Sequence, residues 1–214
     1  MSLIKVCALK LLDFYLGIRF RFSFHKIIID ISEVEHEINR NQPILLIANH
    51  SSWWDGFFVY EVFKKLKAKT DFKVVMLESE LNKFPFFRLC GAVGLIPQDK
   101  EHNQRVFNQL KDHFVCFFPQ GELRPQNLRP LIFKKGIEEL MLILHPVQIL
   151  SAAIHIEPFQ FMKPTALIKV GSLIKSGSEA VSKNSLAALT EKNLLAASLD
   201  WTQQLYSMKD SEWK

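Results

Sequence analysis

A chain of 214 residues, 48% hydrophobic and 23% charged, is long enough to bury one core and too apolar to be disordered. No uncharged apolar run reaches the roughly 18–20 residues that cross a bilayer, and a net charge of +5 suits a partner with an anionic surface. Cys7, Cys90 and Cys116 are odd in number and far apart, so they read as reduced thiols of a cytosolic protein and not as a disulfide frame or zinc site.

In chain order, residues 2–20 look at first like a signal peptide. Asp13 interrupts the apolar stretch and no small-residue cleavage site follows, which argues against secretion. On a helical wheel Lys5, Lys10, Asp13 and Gly17 gather on one arc, while Leu3, Ile4, Leu11, Phe14, Tyr15 and Ile18 cover a wide opposite face. This predicts an amphipathic helix over residues 1–21 that lies in a membrane interface; packing of the same stripe on the protein's own core is the alternative. Much of the positive charge is here: Lys5, Lys10, Arg19, Arg21 and Lys26 face only Asp13 within residues 1–26. A second basic group, Lys64, Lys65, Lys67 and Lys69, suits an anionic surface or simply the C-terminus of a helix.

Residues 22–31, rich in Phe and Ile, predict a strand, and 32–41 a turn or short helix. The run at 44–48 is a buried strand, followed by a polar break at 49–52 and a helix in which Phe58, Val62, Phe63 and Leu66 recur at helical spacing, with Ser51 or Ser52 as its cap. Further strands are expected at 72–77, 92–96, 114–118, 147–156 and 166–170. Helices are expected near Pro85 and over 101–112, 132–144 and 186–206, with a loop at 171–184. Strands and helices interleave without a linker. The fold class is therefore α/β, a single central, mostly mixed sheet covered by helices, with the N-terminal amphipathic helix as an appendage to residues 22–214.

Polar interruptions at strand ends are where α/β proteins place their sites. His50 at the end of one strand and Asp55 in the first turn of the next helix meet if the chain folds back between them. Asp55 then accepts the proton of one imidazole nitrogen and frees the other to act as a base towards a hydroxyl. Two more interruptions follow, Gly94-Leu-Ile-Pro-Gln-Asp-Lys100 and Phe118-Pro-Gln-Gly-Glu-Leu-Arg-Pro125.

Taken in this order and at these spacings, Asn49-His50-x4-Asp55 and the two later elements resemble the PlsC-type glycerolipid, or lysophospholipid, acyltransferases over roughly residues 40–160. The resemblance implies an O-acyltransferase in which His50 is the general base and Asp55 orients it. It also implies an acyl-coenzyme A or acyl-acyl carrier protein donor, no bound cofactor or metal, and a membrane-lipid acceptor such as lysophosphatidic acid. Lys100, Gln120, Gly121, Glu122 and Arg124 fall at acceptor-binding positions. The enzyme would work at the cytoplasmic side of the membrane, held peripherally or monotopically by residues 1–21. Lys100 replaces the family's usual arginine, Gln120 its glutamate and Glu122 its threonine, and Leu123 is inserted before Arg124. These departures leave a glycolipid or amino-lipid hydroxyl open as acceptor. Phe84, Phe86 and Phe87 are candidates for an acyl tunnel.

Ser51 and Ser52 are not expected to be nucleophiles, since no Gly-x-Ser-x-Gly elbow is present. A metal-dependent hydrolase drawing on His155 or Glu157, a catalytically inactive membrane-binding module and a nucleic-acid binder are the readings from other classes. The chain carries no recognisable nucleic-acid motif.

Overall fold

The computed structural model describes residues 3–128, 130–158, 161–171 and 173–175, with Ala188, Glu191, Lys192 and Leu195 beyond them. Those last four are helical and fall within the helix expected over 186–206, whose other residues, with most of the loop at 171–184, lie outside the described ones.

The chain opens with α1 (Leu3–Ser23), then β1 (Lys26–Asp30), β2 (Ile44–Ala48), α2 (Asp55–Leu66), β3 (Phe72–Leu77), α3 (Glu78–Lys83), α4 (Phe86–Leu89) and β4 (Ala92–Leu95). It continues with α5 (Lys100–Gln109), β5 (Phe114–Phe117), α6 (Gly136–Leu144), β6 (Gln148–Glu157), β7 (Thr165–Val170) and β8 (Ile174–Lys175). Seven strands lie in the order β1-β7-β6-β2-β5-β3-β4, and β8 pairs with β6. The β6 pairs with β7 and β8 are antiparallel and the others parallel, so the sheet is mixed.

β2 is apolar at every position because both its faces are covered. Ile44, Leu46 and Ala48 join a core with Leu12 and Leu16 of α1 and Phe58 and Val62 of α2. Leu45 and Ile47 point to the other face, into a core with Phe107 of α5 and Ile137 and Leu140 of α6. The alternation along β2 is the period of two of a strand, read out as membership in two helix layers.

Several boundaries depart from the sequence expectation. α1 runs on to Ser23, so Phe22 is helical and the strand expected from 22 begins at Lys26. α6 starts at Gly136, after an irregular segment at 132–135. α3 was not anticipated, and residues 174–175, expected as loop, form β8. Pro85 does open α4, and the chain leaves it through Gly91 at φ +106°, a conformation that a side chain would strain.

Candidate active site

The topology decides which loops meet. β2 and β5 are adjacent and parallel, with Ile47 opposite Phe117, so the segments leaving their C-terminal ends emerge side by side. The first carries Asn49 to Asp55 and the second Phe118 to Arg124. β4 is separated from β2 by β5 and β3, about 14 Å at the usual strand spacing.

At the end of β2 the side chain of Asn49 extends the sheet. Its Nδ2 donates to the Ile154 carbonyl at 2.9 Å and its Oδ1 accepts from the Ile154 N–H at 2.7 Å. The chain then turns around the Asp55 carboxylate, which is wholly buried. Asp55 Oδ2 accepts from the backbone N–H groups of Ser51 and Ser52 at 2.6 and 2.8 Å, and Oδ1 accepts from the Ser52 hydroxyl at 2.6 Å. The expected serine caps are therefore replaced: Trp54 stands at the cap without a side-chain bond, and Ser52 serves the carboxylate.

His50 Nδ1 lies 3.0 Å from Asp55 Oδ2. A carboxylate only accepts, so Nδ1 carries a proton, and in the neutral ring the lone pair is then on Nε2. The imidazole stacks on Phe118, with ring centroids 4.4 Å apart. The segment after β5 also holds the histidine's backbone: Gln120 Oε1 accepts from the His50 N–H at 2.6 Å, and the Arg124 N–H donates to the His50 carbonyl at 2.8 Å. Gln120 is buried, spent on the chain itself.

Arg124 gives both Nε and Nη2 to Glu122 Oε1, at 3.0 and 2.6 Å. That guanidinium, helped by Lys134, holds the exposed Glu122 carboxyl below its ordinary range. Lys100 sits in the first turn of α5, exposed and outside the cavity described next; Asp99 caps that helix.

His50 opens on a cavity of about 660 Å³ whose wall is mainly apolar. It runs past Trp53, Phe57 and Phe87 to Leu12 of α1, Phe72 and Cys90. Of the three phenylalanines expected in a tunnel only Phe87 lines it, and Phe57, Phe72, Phe117 and Phe118 take the place of the others. Burial, then the charge of Asp13, pushes the Cys90 thiol up to about 11. Cys116, behind Asp55, is pushed up by burial and by that carboxylate. Both therefore stay thiols at neutral pH and are poor nucleophiles. Among the described residues no group of three His, Cys, Asp or Glu side chains is placed to hold a metal. Glu157 instead faces the Gln126 amide, 3.2 Å away.

Sequence reasoning missed the Phe118 stack, the true partner of Gln120, and Lys134. The Lys134 N–H donates to the Pro119 carbonyl at 2.8 Å, and its side chain lines the cavity beside Gly121.

Polar loops gathered at the C-terminal ends of parallel strands, beside a deep apolar cavity, make this an α/β enzyme fold. The family model described as Acyltransferase matches residues 31–159, more than half of the chain. The chain thus belongs to the acyltransferase family and is an acyltransferase, as the three sequence elements implied. No curated protein matches it. Among solved structures it is similar to the 1-acyl-sn-glycerophosphate (LPA) acyltransferase PlsC from Thermotoga maritima, with a TM-score of 0.61 and 18% identity over 87% of this chain and 77% of that one. At that identity the likeness speaks for the fold.

Proposed function

We propose that this enzyme moves a fatty acyl group from a thioester, acyl-coenzyme A or acyl-acyl carrier protein, to the hydroxyl of a lysophospholipid such as lysophosphatidic acid. The observation that carries the reading is the 3.0 Å contact between His50 Nδ1 and a buried Asp55, with the ring at the mouth of an apolar cavity of about 660 Å³. Nε2 of His50 takes the proton of the acceptor hydroxyl as its oxygen attacks the thioester carbonyl carbon. The tetrahedral adduct collapses, the C–S bond breaks, and the departing sulfur takes the proton from His50. Asp55 holds the tautomer and stabilises the imidazolium between the two transfers. A base so positioned contributes about 10²–10⁴-fold. No covalent acyl-enzyme and no bound cofactor are needed, and the fatty chain lies along Phe57, Phe72 and Phe87.

A second acceptor class is favoured by one observation. Arg124 is consumed by Glu122, so the loop at 120–124 presents a neutral ion pair, which also suits the hydroxyls of a glycolipid or an amino-lipid.

Residues 1–21 are proposed to rest on the cytoplasmic face of a membrane, with residues 22–214 as the catalytic domain. Leu3, Ile4, Leu11, Phe14, Ile18 and Phe22 of α1 are all exposed, which supports this. No helix of the described residues is long and apolar enough to cross a bilayer.

The test is thiol release from long-chain acyl-coenzyme A and acyl-acyl carrier protein with lysolipid, glycolipid and amino-lipid acceptors, using His50→Ala as control. Acceptor-dependent release at least about a hundredfold lower in His50→Ala is expected. Parental turnover in that variant would remove His50 as the base.

A further inference from the structure

We infer that Lys134, a residue outside the three sequence elements, binds a substrate phosphate at the mouth of the cavity and so sets the acceptor preference. This rests on the acyl-transfer reading above and adds a residue to it.

The cations expected for an anionic headgroup are not placed to serve one. Arg124 spends two nitrogens on Glu122, and Lys100 lies outside the cavity. Lys134 is the only lysine or arginine that lines the cavity among the described residues. Its charge acts on the Glu122 carboxylate, which lines the same cavity, but its ammonium makes no hydrogen bond or close ion pair there, so its three donors remain for a ligand.

Gly121 explains how the side chain reaches this position. Its φ of +65° suits glycine, and a Cβ built there would stand 2.8 Å from Lys134 Cδ and 3.2 Å from Cε and Nζ. The lysine stem lies across the space that a side chain at 121 would fill. Its backbone is pinned by the bond to Pro119, two residues from Gly121 and one from Phe118, on which His50 stacks. The ammonium is thereby tied to the loop that holds the general base. Lysine binds a phosphate as a point charge without the fork of arginine, so it selects for charge more than for orientation.

The phosphate can be the acceptor's phosphomonoester or the 3′-phosphate and pyrophosphate of a coenzyme A donor, and the substrates separate the two. Lysophosphatidate is compared with monoacylglycerol as acceptor, and acyl-coenzyme A with an acyl-pantetheine thioester as donor, on the parent, Lys134→Met and Lys134→Arg. Lys134→Met is expected to lower the kcat/KM ratio of one phosphate-bearing substrate over its phosphate-free counterpart about tenfold, or about 1.4 kcal/mol. The effect is expected mainly in KM, with Lys134→Arg recovering most of it. The pair that responds names the source. An unchanged ratio for both pairs overturns the inference.

Equilibrium binding of short-chain lysophosphatidate and of desulfo-coenzyme A to the parent, His50→Ala and Lys134→Met proteins separates this inference from the reaction assignment. Binding of either ligand that weakens about tenfold in Lys134→Met, from a parent that transfers no acyl group, would retain the phosphate site and reject the reaction. Turnover abolished by His50→Ala, with neither ligand sensitive to Lys134, would do the reverse.

Discussion

At the scale of single residues, His50, the proposed base, is held more by its backbone than by its ring. His50 receives one ring contact from Asp55, but its N–H and carbonyl are both bound by the loop after β5. Gln120→Leu removes the acceptor of the His50 N–H and leaves a donor unpaired, at a cost of about 1–3 kcal/mol. The expected outcome is a fall of about tenfold or more in kcat with little change in KM, together with a lower Tm. Gln120→Glu keeps an acceptor oxygen at the same place and should restore much of the Tm. A Gln120→Leu enzyme with parental kcat would show that the bond is dispensable, and thiol-release kinetics beside thermal melts decide it. The pairing of His50 with Asp55 was legible in the sequence because five residues separate them and one turn brings them together. The tasks of Asn49 and Gln120 were not, because their partners lie 105 and 70 residues away across strand pairs that no local pattern encodes.

At the scale of elements, apolar runs marked β2, β3 and β5 closely, since a strand covered on both faces has few other ways to read. Order in the sheet was invisible, and it is order that leaves Lys100 aside: β5 and β3 stand between the end of β4 and His50. Lys134 escaped because it sits in the irregular segment before α6, where a continuous helix was expected. The charged arc of α1 is expected at the headgroups of a membrane, yet two of its members turn to the protein: Lys5 bonds Asp71 at 2.6 Å and Asp13 bonds Lys64 at 2.9 Å, tying the helix to the body. Lys5 holds the Asp71 carboxyl below its ordinary value of 3.8. A depressed carboxyl adds stability above the pKa of the unfolded chain and loses it as pH falls through the folded value, so the window lies below about pH 4. Asp71 is partly exposed, which limits the contribution to about 0.5 kcal/mol. Lys5→Met should therefore be less stable than the parent by about that amount at pH 7 and equal to it near pH 2. Urea melts at the two pH values test this, and an equal difference at both would assign the effect to packing of the lysine stem.

At the scale of the whole molecule, α1 has two apolar faces with different uses. Ala8, Leu12 and Leu16 are buried against the core, and Phe20 stacks on Phe58 beside Trp54, while Leu12 also reaches the cavity. The opposite face leaves Leu11, Phe14 and Ile18 in water, with Lys10, Arg19 and Arg21 exposed nearby. Both readings of the stripe thus apply to one helix: the inner face packs on the protein, and the outer face is proposed for lipid. Replacing Leu11, Phe14 and Ile18 together with Gln removes no core contact, so the thermal midpoint should hold within a few degrees. Each apolar side chain withdrawn from water contributes roughly 1.5–3 kcal/mol when fully buried. At a shallow interface about half of that applies, so the three together give about 3 kcal/mol, or roughly a hundredfold in partitioning. Cosedimentation with anionic vesicles should fall by that order, and the parent's binding should weaken with added salt as the basic residues are screened. Undiminished sedimentation of the triple variant would reject the outer face as the lipid contact. Loss of sedimentation with unchanged turnover on a short-chain, water-soluble acceptor would separate anchoring from chemistry, as expected if the inner face alone closes the cavity around Leu12.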